Sequence, residues 1–138
     1  MTPDQIRLVQ ASFARAKTGS ADLAAHFYRR LFEIDPALRQ LFRGDMHQQG
    51  ERLLQMLGAA VGLLGRPETL FPVLHSLGAR HAGYGVQPAH YDSVGSALLD
   101  TLAEALGPGF THELHAAWTR LLAVVRQEML QDATLTLN

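Results

Sequence analysis

The 138-residue chain sets twelve basic against thirteen acidic side chains, a formal net charge of −1, which leaves no electrostatic footprint for nucleic acid or an anionic membrane. It has no cysteine, and that excludes disulfides, thiolate catalysis and cysteine-held zinc or iron–sulfur centres. A hydrophobic fraction of 47% with a mean hydropathy of −0.01 describes one ordinary globular domain over residues 1–138, large enough to bury a core.

The opening "MTPDQIRLVQ" lacks the charged-then-apolar layout of a secretory leader, so a cytoplasmic protein is expected. Thr2 reads as a helix N-cap, with Pro3 in the first turn and Gln5 closing a capping box. Ile6, Val9 and Phe13 then share a face until "KTGS" breaks the helix. Ser20 is expected to cap a second helix that carries Leu23, Phe27, Leu31 and Ile34. Asp35 and Pro36 start a short third helix running into Leu41 and Phe42. "RGDMHQQG" reads as a polar bend, and after it Leu53, Leu57, Ala60 and Leu64 mark a long amphipathic helix. The most apolar run, Met56 to Gly65, is too short to span a bilayer. "GRP" ends that helix and opens another, from Glu68 to about Ala82. Pro88 opens the next, with Tyr91, Val94, Leu98, Thr101 and Ala105 on one side. "GPGFT" resets the chain, and Thr111 caps a last helix bearing Leu114, Trp118, Leu121, Val125 and Met129. Seven helices joined by short Pro/Gly turns predict an all-α domain, with no repeat or linker.

Stripes of this kind are explained by core packing alone. The chemistry lies in polar and aromatic residues at particular spacings. "LGARHAGYGV" (77–86) sets His81 in a small, apolar run one helical turn before Gly83 and Gly85. A lone helix histidine is usually solvated, but the chain has seven, and they are its residues that hint at a metal. Two longer stretches, "HFYRRLFEIDPALRQLF" (26–42) and "RHAGYGVQPAHYDSVGSALLDTLAEALG" (80–107), are followed by "FTHELHAAW" (110–118). With these segments the chain resembles the bacterial single-domain globins over essentially its whole length. It is similar to the globin part of flavohaemoglobins and to haemoglobins of the Vitreoscilla type.

That resemblance implies a globin fold of about seven helices, with the short fourth helix replaced by an irregular loop over 43–48. It implies haem b as cofactor, with His81 as the proximal iron ligand and Leu77 and Val86 flanking it. Neutral imidazole suits the role, donating through one ring nitrogen while a hydrogen bond holds the other. Phe42 matches the ring that packs on the haem face, and Tyr28, fourteen residues earlier, matches the distal tyrosine. For the distal polar residue "HQQGERLL" offers His47, Gln48 and Gln49. A residue one turn beyond should also face the haem, and only Gln49 has an apolar one there, Leu53; the other two would bury Glu51 or Arg52. Gln49 also precedes His81 by thirty-two positions, as the pattern leads one to expect. Arg80 and Arg52 suit the haem carboxylates. Tyr91, ten beyond His81, matches the proximal tyrosine. The glutamate that joins it in flavohaemoglobins is missing or displaced, since the matching place holds Ala133 and the nearby acids are Glu128 and Asp132.

The function expected first is reversible binding of dioxygen and other diatomic gases, with hydrogen bonds from Tyr28 and Gln49 holding the ligand. The alternative is nitric oxide dioxygenation with electrons from a separate reductase, since the sequence to Asn138 has no flavin or nicotinamide domain. Haem-based redox or gas sensing is a further reading, and a haemless helical interaction protein is the bland one. Neither nucleic acid nor membrane insertion is expected.

Overall fold

A computed structural model describes residues 1–19 and 22–136, with side chains as far as Gln131. Its helices are α1 (Pro3–Gly19), α2 (Leu23–Ile34), α3 (Met46–Gly62), α4 (Pro67–Gly83), α5 (Pro88–Leu106) and α6 (His112–Thr136). A 3₁₀-helix, Pro36–Leu41, stands between α2 and α3, and a shorter one, Gly107–Gly109, precedes α6. No strand occurs among the described residues.

Local chemistry accounts for the helix starts. Thr2 and Gln5 exchange their capping hydrogen bonds at 3.0 and 3.1 Å. Prolines open α4 and α5, where the missing N–H would have had no helical partner. Thr111 accepts from the Leu114 N–H at 3.2 Å to start α6. The expected short third helix is a 3₁₀-helix, with Phe42 already extended backbone. One expectation needs correcting: the irregular loop is shorter than 43–48. The Asp45 carboxylate accepts the His47 N–H at 2.8 Å, so α3 begins at Met46 and takes His47, Gln48 and Gln49 into its first turn. Ser20, expected to cap α2, lies outside the described residues; Asp22 holds the N-cap position and makes no side-chain capping bond.

The helices pack most extensively as two pairs, α4 on α6 and α2 on α5. Between α1 and α6 the fully buried Trp118 donates its indole N–H to Ser12 at 2.9 Å, and the Ser12 hydroxyl passes on to the Val9 carbonyl. That chain satisfies the polar atoms of an otherwise apolar core.

Gly78 is where α4 and α6 meet. A Cβ on it would overlap the backbone of Met129. Alanine gains about 1 kcal/mol of helix propensity over glycine, but overpacking against an unyielding backbone costs about 3 kcal/mol or more. Gly78→Ala should therefore lose about 2 kcal/mol in urea unfolding. Stability equal to the parent's would show that this contact does not set the helix spacing.

Candidate functional site

A cavity of about 330 Å³ lies between α2, α3, α4, α5 and α6. Each helix lines it with one stripe. α3 contributes Gln49, Leu53, Met56, Leu57 and Ala60, and α4 contributes Leu74, Leu77 and His81. Leu121, Val125 and Met129 come from α6 and Val94 and Leu98 from α5, at the three- and four-residue steps of a helix face. Nine of the ten residues singled out above line this cavity: Tyr28, Phe42, Gln49, Arg52, Leu53, Leu77, His81, Val86 and Tyr91. Arg80 does not. It is exposed, outside the wall.

His81 is half-buried in the last turns of α4, and its Nδ1 lies 2.8 Å from the Leu77 carbonyl oxygen. A carbonyl can only accept, so Nδ1 carries the proton and the lone pair is left on Nε2. One backbone bond thus selects the tautomer and fixes the ring plane. The His81 carbonyl in turn accepts from the N–H groups of Tyr84 and Val86 at 3.0 and 3.1 Å, which closes the helix.

Tyr28 is buried within an aromatic cluster, with Phe27 and Phe42 edge-on at 5.1 and 5.2 Å and Phe32 stacked at 6.0 Å. Its hydroxyl donates to the backbone carbonyl of Gln49 across 3.4 Å. The two helices come this close because residue 50 is glycine: a Cβ there would stand 2.9 Å from that of Ala24. Burial pushes the phenol pKa up to about 12, so it stays a protonated hydrogen-bond donor. Gln49 is half-buried in the wall, whereas His47 and Gln48 are exposed, and His47 pairs with Glu51 at 3.1 Å.

The middle of α4 carries a pair that sequence reasoning did not find. His75 Nε2 lies 2.9 Å from Glu128 Oε1, which ties α4 to α6 and commits that carboxylate away from His81 and Tyr91. The side chains of Asp132 and Ala133, the other places considered for the proximal acid, lie outside the described residues. Tyr91 lines the cavity half-buried; burial raises its pKa and the nearby Arg126 charge lowers it. Arg126 was also missed, although it extends the α6 stripe by one helical turn from Leu122. Its buried Nε makes no hydrogen bond and stands 3.4 Å from Asp92 Oδ1.

The wall is mostly hydrocarbon and aromatic, with two tautomer-fixed imidazoles: His81, whose free nitrogen is Nε2, and His90, whose Nδ1 accepts the Gln87 N–H at 2.9 Å. Among the described residues no three His, Asp or Glu side chains gather to hold a bare ion. That donor set suits a metal carried in its own apolar macrocycle, and Arg52 in the wall suits the macrocycle's acidic edge.

The chain belongs to the globin family, which it matches over residues 25–129. Haem binding, and through it the binding of diatomic ligands, comes with that membership. It is 37% identical over 122 residues to the flavohemoprotein of Bordetella parapertussis, covering 86% of this chain and 30% of that protein. It is 31% identical over 134 residues to that of Chromobacterium violaceum, covering 94% of this chain and 33% of the other. The chain therefore spans about a third of the length of these relatives. An anaerobic nitrite reductase of Oryza sativa is 30% identical over 139 residues and is covered over 96% of its length. An engineered carbene transferase from Rhodothermus marinus, built on a protein provisionally named a nitric oxide dioxygenase, superposes with a TM-score of 0.84. It is 28% identical, and the match covers 99% of this chain and 96% of that one. No helix among the described residues is long and apolar enough to cross a membrane.

The Tyr28 phenol supplies a direct check on this wall. At about pH 11, phenolate absorbance should remain short of the full value for three tyrosines, and Tyr28→Phe should remove most of the shortfall, the rest belonging to Tyr91. Complete ionisation of the parent by that pH would show that the phenol is in water.

Proposed function

We propose that this globin holds haem b through His81 Nε2 and serves in nitric oxide dioxygenation, in which nitric oxide, dioxygen and one electron give nitrate. The observation that carries the reading is the composition of one cavity. A tautomer-fixed imidazole shares it with two neutral donors, the Tyr28 phenol and the Gln49 amide, and the rest of the wall is largely apolar. Kinship supports the choice of nitrogen-oxide chemistry, since one relative is named a nitrite reductase and one structural neighbour is assigned to nitric oxide.

Haem b, when bound, would supply an iron that takes a diatomic gas. The protein's own residues do the rest. The Leu77 carbonyl keeps Nε2 of His81 free to bind the metal. Gln49 presents an N–H donor to a gas that gathers negative charge, and the single Tyr28 proton joins it on turning from the Gln49 carbonyl. Each such bond contributes about 1 kcal/mol, and more where water is excluded. Neither donor titrates near neutrality: the phenol is held protonated by burial, and an amide has no proton to lose there. Phe42, Leu53 and Leu57 keep the pocket dry. Arg52, which lines the cavity, would pair with a haem carboxylate.

Reversible dioxygen binding, the first expectation, uses the same pocket and the same donors. What separates the two is the electron that each nitrate requires. Reversible binding consumes none, whereas turnover needs a reductase, attached or separate. A pulse of nitric oxide given to reduced, haem-loaded protein in dioxygen-saturated buffer should yield about one nitrate per haem and then stop. Continuous consumption should follow once NADH and a competent reductase are added. Nitrate absent from the first pulse, or no sustained consumption after NADH and a competent reductase are added, would contradict the proposal.

A further inference from the structure

Tyr84 is the most open of the exposed large hydrophobic side chains, at 67%, and it stands at the end of the helix that carries His81. Its ring centroid is 6.1 Å from that of the imidazole. The ring is held by its backbone: the Tyr84 N–H donates to the carbonyls of Arg80 and His81, and Gly85 follows with φ of +91°. Single exposed apolar residues are ordinary on protein surfaces. This one differs in its neighbours.

The segments that meet around it are strongly one-sided in charge. "RQLFRG" (39–44) and "LGARHAGYGVQP" (77–88) contain Arg39, Arg43 and Arg80 and no acid, although acids outnumber bases in the whole chain. The two segments touch, since Leu41 Cδ2 stands 3.8 Å from where a Cβ on Gly85 would lie. All three arginines are exposed, and none enters an ion pair among the described residues. Arg39 lies over the Phe32 ring at 4.7 Å, and of the other basic groups Arg30 pairs with Asp100 at 2.8 Å, Arg29 with Glu104 at 3.9 Å and Arg126 with Asp92 at 3.4 Å.

We propose that Tyr84, with Arg39, Arg43 and Arg80, forms the docking surface for an electron-donor protein with an acidic face. The arginines attract the donor, and Tyr84, 6.1 Å from the imidazole ring, is the exposed aromatic contact between it and the His81 side of the pocket. One electron leaves the donor and one arrives in the pocket; no bond is made or broken at this surface. The inference rests on the nitric oxide reading, because only turnover calls for an electron in every cycle. Complementary charge speeds encounter and is screened by salt.

Stopped-flow reduction of the ferric, haem-loaded chain by reduced flavodoxin, an acidic donor protein, tests it. The second-order rate should fall steeply with added salt, and Arg43→Glu should slow it about ten-fold at low salt. Tyr84→Leu should lower the limiting rate at saturating donor several-fold, and Tyr84→Phe should restore it. Reduced riboflavin, which is small and carries no acidic protein face, should reduce parent and Arg43→Glu protein equally fast. Salt-independent reduction, parent rates in both Arg43→Glu and Tyr84→Leu, or equal slowing with riboflavin would each overturn the docking surface. So would self-association of the chain through Tyr84, seen by light scattering. Nitrate yield in the first pulse from pre-reduced protein keeps the two ideas apart. A normal yield with unchanged reduction rates overturns the docking surface alone, and a missing yield with the expected rates overturns the nitric oxide reading.

Discussion

The close approach of α4 to α6 at Gly78 is the constraint on which the site depends. With no side chain there, the backbones of the two helices touch, and the facing residues before and after it fall into fixed places. Three residues towards the N-terminus, His75 reaches Glu128 and pins the pair. Three residues on, His81 emerges into the cavity with its tautomer chosen by the Leu77 carbonyl. A shift of α4 along α6 would move the imidazole without changing any residue of the wall.

The second support is the approach of α3 to α2 at Gly50, which does for Tyr28 and Gln49 what Gly78 does for His81. The two donors belong to different helices and meet only through that contact. Aromatic neighbours then hold the phenol ring from three sides, and burial holds its proton. The pocket's polarity thus consists of a few neutral groups placed by packing, with charge kept to its rim at Arg52 and Arg126.

Much of this was legible in the sequence, because apolar stripes at helical spacing record which faces are buried. Gln49 illustrates it. The rule that the residue one turn on must be apolar picked it from three polar neighbours, and it stands in the wall while His47 and Gln48 face solvent. Boundaries were less readable. The Asp45 cap extends α3 five residues into what looked like a polar bend, and the Pro36 segment winds as 3₁₀. Pairings between helices could not be read at all. Nothing in the spacing of His75 and Glu128, fifty-three positions apart, announces a hydrogen bond, nor does composition show that Arg126 borders the cavity while Arg80 does not.

The account turns on His81 Nε2 as the protein's hold on the haem, and the most direct measurement is haem binding by His81→Gly with and without free imidazole. The variant should lose most of its haem absorbance, because removal of the ring takes away the donor atom and leaves the walls standing. Added imidazole should enter the space and restore both haem retention and a parent-like ferrous spectrum. Full retention of haem by His81→Gly with an unchanged spectrum and no imidazole would contradict the account at its centre.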